Sequence, residues 1–187
     1  MLARIFAASL VVMLAPKPGH GQAALPPAGF QIMGGAGVGW TRTACGFCRR
    51  ERDPGPVVYL QATSRIRPGL TIGAEGNVWA RDDEIFVLVG SIGAIANIYP
   101  NVESPLYLKG GLSYVTYRAF DEDGDLIANG PGIQLGAGYR FRVTEDITIT
   151  NFVNVLASRY GKLKEEDTVV VDNFGVTSFQ LGIGLVR

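Results

Sequence analysis

Eight segments of this chain alternate apolar side chains with small or polar ones, and turn-forming clusters separate them. A period of two puts successive side chains on opposite faces of an extended strand. The first segment, Gly29–Ala44, shows the pattern well: Phe30, Ile32, Gly34, Ala36, Val38 and Trp40 share one face. Gln31, Met33, Gly35, Gly37, Gly39 and Thr41 share the other. No apolar run is long enough to cross a bilayer as a helix, which needs about 20 residues. A chain built this way must find two different environments for the two faces of every strand.

The remaining segments repeat the arrangement. Val57–Arg65 sets Val58, Leu60 and Ala62 against Tyr59, Gln61 and Thr63, and Ile66-Arg67-Pro68-Gly69 is a tight turn. Leu70–Ala80 sets Leu70, Ile72, Ala74 and Val78 against Thr71, Gly73, Glu75, Asn77 and Trp79. Ile85–Tyr99 is apolar on both faces, so its facing stays open. Leu106–Arg118 has Leu106, Leu108, Leu112 and Tyr114 opposite Lys109, Gly111 and Ser113. Pro131–Arg142 has Ile133, Leu135, Ala137, Tyr139 and Phe141 opposite Gln134, Gly136, Gly138, Arg140 and Arg142. Ile147–Ser158 is the seventh strand. Phe174–Arg187 is the eighth, with Phe179, Leu181, Ile183 and Leu185 opposite Ser178, Gln180, Gly182 and Gly184. The 25 glycines of the 187 residues exceed the average share of about 7 %. They suit a crowded interior where backbones approach closely.

Residues 1–23 read as a secretory signal: Arg4, the apolar run Ile5 to Ala15, then Gly21-Gln22-Ala23 with cleavage before Ala24. Residues 24–187 then form one domain. Losing Arg4 and Lys17 takes the net charge from zero to −2, so there is no basic footprint for nucleic acid. Connections are long after strands one (45–56), five (119–130) and seven, and short after two, four and six, with the short one after strand three the exception. Such sorting of loop lengths between two ends, in an exported chain of two-faced strands, describes an all-β, eight-stranded antiparallel up-and-down transmembrane β-barrel of the bacterial outer membrane. A soluble periplasmic ligand-binding barrel is the alternative, with apolar residues lining the inside.

The strands Phe30–Trp40, Leu106-Tyr-Leu-Lys-Gly-Gly-Leu112, Gln134-Leu-Gly-Ala-Gly-Tyr139 and Phe179-Gln-Leu-Gly-Ile-Gly-Leu185 resemble those of the small outer-membrane β-barrel superfamily, the group of the outer membrane protein A and X barrels. The resemblance covers nearly all of residues 24–187. It implies assembly by the outer-membrane barrel machinery, which reads the last strand, and contact with outer-membrane lipid and lipopolysaccharide. Last strands of the family end in an aromatic residue, whereas this one ends in Val186-Arg187.

Four constellations invite a chemical reading. Glu75, Lys109, Arg140 and Arg142 fall on the inward faces of their strands and form a lumen charge cluster. It reads as a salt-bridge network plugging the interior, or as a gate whose pairs rearrange to pass small ions. Cys45 and Cys48, with Gly46 and Phe47 between, read as a small-loop disulfide in an oxidising compartment. A thioredoxin-like role lacks its βαβ setting, and a zinc site lacks histidine. Asp121, Asp123 and Asp125 begin like a calcium loop. Leu126 and Gly132, however, stand where that loop needs Gly and Glu, leaving a solvated acidic loop or a weak divalent-ion site. The aromatic set Trp40, Tyr59, Trp79, Tyr99, Tyr107, Tyr114, Tyr117, Tyr139, Phe141 and Tyr160 reads as interfacial girdles. Lys162–Asp167 reads as a solvated loop tip, with Thr168–Val171 extending a strand beyond the membrane.

The only histidine, His20, lies in the signal, which argues against Ser-His-Asp and Cys-His catalysis and against histidine metal sites. The expectation is a monomeric, non-enzymatic barrel without cofactors, structural in the envelope or interacting through its outer loops. The alternative within the membrane is a channel for small solutes or hydrophobic compounds.

Overall fold

The structure is a computed structural model that describes residues 29–46, 48, 51–83, 85–101, 104–121, 124–144, 147–165 and 168–186. The expected signal and its cleavage site lie outside these residues. Eight strands follow one another: β1 (Phe30–Ala44), β2 (Asp53–Arg67), β3 (Leu70–Arg81), β4 (Phe86–Ile98), β5 (Leu106–Asp121), β6 (Gly124–Arg142), β7 (Thr148–Glu165) and β8 (Thr168–Val186). Each pairs antiparallel with its sequence neighbours, and β8 closes onto β1. The described residues contain no helix.

The register fixes the shape. Following partners from Met33 through Gln61, Glu75, Gly93, Ser113, Gly132, Ser158 and Val176 returns to β1 at Thr43, a stagger of ten residues. With strands about 4.8 Å apart and a rise of about 3.3 Å per residue, this stagger tilts eight strands by about 40° and sets a radius of about 8 Å. Such a tube is filled by side chains. Gly138 shows how tightly: a Cβ there would lie 2.3 Å from the Tyr107 ring.

An even number of strands leaves the start of β1 and the end of β8 at one end, here called the terminal end. The β1–β2, β3–β4, β5–β6 and β7–β8 connections lie at the other, the hairpin end. At the terminal end, Gly69 takes φ 82° in the turn after Pro68. Facing follows the alternation on every strand where the pattern is clear, and β4 now resolves. Val87, Val89, Ser91, Ile95 and Asn97 point in, while Phe86, Ile92 and Ile98 point out. The register decides it, because Ser91 pairs with Asn77 and Asn97 with Lys109.

Two expected long loops are strands. Ala119–Gly130 is a hairpin in which Asp121 pairs with Gly124, and the charged segment after strand seven is a hairpin in which Glu165 pairs with Thr168. These strands run to 19 residues in β6 and β8, beyond the roughly 9–11 that span a bilayer. Irregularities mark the change of level. The β7 register shifts between Ser158 and Gly161, beside Pro131 of β6, whose carbonyl accepts a 2.9 Å hydrogen bond from Ser158 Oγ. Asn173 adopts φ 64° in the matching shift on β8. An inserted residue bends a strand and reverses which side chains face inward.

Candidate functional site

The interior divides into three levels. At mid-height the inward positions of β2, β3, β5, β6, β7 and β8 bring Gln61, Glu75, Lys109, Gln134, Asn154 and Gln180 together, all buried. Lys109 Nζ donates to both carboxylate oxygens of Glu75, at 2.8 and 2.7 Å. Asn154 Nδ2 donates to Gln180 Oε1 at 3.1 Å, and Gln180 Nε2 donates to Asn77 Oδ1 at 3.4 Å. The bidentate contact satisfies the carboxylate, and the amides carry the polar layer across the tube. Losing one partner of such a buried pair costs about 3–5 kcal/mol.

Towards the terminal end lies a cationic level. Arg140 is 3 % exposed, and its guanidinium carbon sits 5.4 Å from the centre of the Tyr99 ring and 5.3 Å from that of Tyr107. Its Nη1 donates to Gln31 Oε1 at 3.1 Å. Cation–π contacts contribute about 0.5–2 kcal/mol each, against several kcal/mol for burying an ion. Stacking alone therefore under-compensates this charge.

Towards the hairpin end the interior turns apolar. Val57, Trp79, Val89, Val115, Leu156 and Phe174 belong to one buried cluster, with Cys45 and Cys48 packed against it. Trp79 Nε1 donates to the Gly39 carbonyl at 3.1 Å, which permits the indole to be buried. Above it opens a cavity of about 320 Å³ lined by Thr41, Asp53, Trp79, Arg81, Ile85 and Tyr117 among others, with Arg81 paired to Asp53.

The charged residues singled out from sequence therefore separate. Glu75 and Lys109 pair, and Arg140 is buried apart from them with aromatic and amide partners. Arg142 is a correction: it keeps the inward parity but is exposed, because β6 ends there and the lumen has ended with it. Cys45 and Cys48 are bonded to each other. Of the acidic group, the structure describes the Asp121 backbone, which pairs with Gly124, and Asp125. Asp125 is exposed on β6 opposite Phe120, while the Asp121 side chain and Asp123 lie outside what the structure describes. No cluster of three or more potential metal ligands occurs among the described residues.

The girdle reading needs correction too. Trp40 and Phe179, 6.0 Å apart, and Tyr139 and Phe141, 4.6 Å apart, lie on the outer wall near opposite ends. Tyr59, Trp79, Tyr99 and Tyr107 are buried inside. A signal for this existed: Tyr59, Trp79 and Tyr107 stand two residues from Gln61, Asn77 and Lys109, and so share their inward parity.

No protein-family model matches the chain, and no curated protein matches it. Solved structures do. Neisserial surface protein A superposes with a TM-score of 0.61 at 18 % identity, covering 85 % of this chain and 96 % of its own. Ail, the attachment invasion locus protein of Yersinia pestis, gives 0.54 at 14 %, covering 86 % and 100 %. The outer membrane protein OprG from Pseudomonas aeruginosa gives 0.50 at 13 %, covering 86 % and 96 %. Identities this low speak for architecture, and the architecture is that of the small eight-stranded outer-membrane barrels.

Proposed function

We propose that the protein is a non-enzymatic, monomeric outer-membrane barrel, plugged within the bilayer, whose hairpin end stands above the membrane as its working surface. The observation that carries this reading is an exchange of polarity along the tube. Over the middle and terminal levels the outer wall is apolar, with Leu112 at 71 % and Ile92 at 66 % exposure, while the inside holds the ion pair, the amides and Arg140 beside a small buried cluster of Met33, Tyr59, Phe152 and Val186. Over the long hairpins the outer wall carries exposed Arg118, Asn129, Lys162 and Lys164, with Phe120 and Val169 among them, while Ala128, Leu163 and Phe174 are buried inside. A bilayer around the first region and water around the second account for both. A soluble ligand-binding barrel would leave the Leu112 and Ile92 faces in water.

The role is structural in the envelope, or surface contact through the β5–β6 and β7–β8 hairpins, with lipopolysaccharide and outer-membrane lipid as neighbours and the barrel assembly machinery as the route in. Cell fractionation followed by gels of unheated and boiled samples tests the location: outer-membrane recovery with a heat-dependent mobility shift is expected, and soluble recovery without a shift overturns it. Planar-bilayer recording tests the plug. Steady conductance from the wild-type barrel would favour the channel instead.

A further inference from the structure

Among the described residues, three charged side chains are buried: Glu75, Lys109 and Arg140. Glu75 gives both carboxylate oxygens to Lys109, so that pair is neutral. Among the described residues, Arg140 is left as an enclosed positive charge with two aromatic faces and one amide oxygen. Its surroundings are rich in donors. Arg140 pairs in register with Thr150, Thr150 with Gly184, Gly184 with Gly35 and Gly35 with Tyr59. Tyr59 reaches back over this row: a Cβ on Gly184 would lie 2.1 Å from the Tyr59 hydroxyl. The Tyr107 hydroxyl is 3.5 Å from Thr150 Oγ1 in the same row. Arg140 Nε and the hydroxyls of Tyr59 and Tyr99 are buried and have no hydrogen-bond partner.

We propose that this level binds a small inorganic anion of halide size, held by the Arg140 guanidinium and the unpartnered hydroxyls of Tyr59 and Tyr99. The chemistry is one-sided: N–H and O–H donors gather around a buried cation whose nearest buried carboxylate is engaged elsewhere. The size follows from the packing. Tyrosine rings already occupy the space that side chains at Gly138 and Gly184 would fill, so this level admits nothing larger than a single-atom anion.

The test uses the full-length barrel folded in detergent micelles, with chloride replacing gluconate at constant ionic strength. Chloride should raise the unfolding temperature of the wild type saturably. The Arg142→Gln variant should respond equally, since that exposed arginine lies on the same strand outside the lumen. Arg140→Gln should lose the response. No response in the wild type, or an undiminished response in Arg140→Gln, overturns the proposal, and equal stabilisation by phosphate overturns the halide size. Because Arg140→Gln can fail to fold, a second measurement needs no variant. Wild-type crystals grown in bromide should show an anomalous peak beside Arg140, and a blank map there overturns the site.

Discussion

The middle of the barrel and its hairpin end are one continuous sheet with opposite polarity. On β7, Asn154 points in and Val155 points out. Past the irregularity at Ser158–Gly161, Leu163 points in between exposed Lys162 and Lys164. On β6, Gln134 points in between exposed Ile133 and Leu135, whereas Ala128 points in beside exposed Asn129. Phe120, Val169 and Val170 are exposed on the hairpins, but each level puts most of its apolar side chains where water is not. In the bilayer section that is the outside, so the interior is held by an ion pair and amides with only a small apolar cluster of Met33, Tyr59, Phe152 and Val186. Above it, that is the inside, so the interior packs like a soluble core. The lesson is that inward polarity follows the medium around each level of the tube, not the barrel as a whole.

The largest effect should come from breaking the polar level. Lys109→Met leaves the Glu75 carboxylate buried without its partner and is expected to cost about 3–5 kcal/mol. Urea unfolding of the barrel in lipid vesicles, read by the mobility of unheated samples, measures it. The double variant Glu75→Gln with Lys109→Met removes both charges and should recover most of that loss. If it stays as unstable as Lys109→Met, the pair is not what holds the level together. The same assay on Leu156→Ala probes the apolar level. Leu156 is fully buried just above the polar layer, and truncation is expected to cost about 2–5 kcal/mol. A loss below about 1 kcal/mol would mean that this end relaxes freely and is not a packed core.

The same contrast explains what the sequence discloses. The bilayer section was legible because one polarity rule holds from Phe30 to Trp40 on β1 and from Gln134 to Phe141 on β6, so eight strands follow from alternation, and their facing too except on β4, where both faces are apolar and the register decides. The hairpin end was not. There the rule inverts, and the extra residues near Arg159 and Asn173 slip the parity, so Ala119–Gly130 and the Lys162–Asp167 region read as charged loops although Ala119–Asp121 pairs with Gly124–Leu126 and Lys162–Glu165 belongs to β7. Within the interior, parity located Glu75, Lys109 and Arg140 but not who meets whom. That depends on the ten-residue stagger, which no local pattern carries. Parity also says nothing about where a strand leaves the lumen, and Arg142 sits past that point.

A smaller effect is expected at the junction between the apolar level and the β1–β2 connection. The Cys45–Cys48 bond closes a very short loop, so the chain-entropy gain is about 2 kcal/mol at most. Both sulfur-bearing residues also pack on the cluster containing Val57, Trp79 and Phe174. Reduction should therefore lower the urea midpoint modestly and raise Trp79 quenching by acrylamide, because both cysteines pack on the cluster that holds the indole. A lower midpoint without added quenching would confine the loop's effect to the unfolded chain.

The smallest effect should come from the cavity mouth, where Arg81 pairs with Asp53. Their side chains are 26 % and 43 % exposed, and pairs this open to water contribute at most about 1 kcal/mol and weaken with salt. Arg81→Gln should shift the midpoint slightly at low ionic strength and not at all in high salt. The value of this variant is its contrast with Lys109→Met, which removes a cation from an equally direct ion pair. A large, salt-insensitive loss in Arg81→Gln would mean that the hairpin end is as dry at its rim as the lumen is at mid-height. The boundary between the two media would then lie above Asp53, not below it.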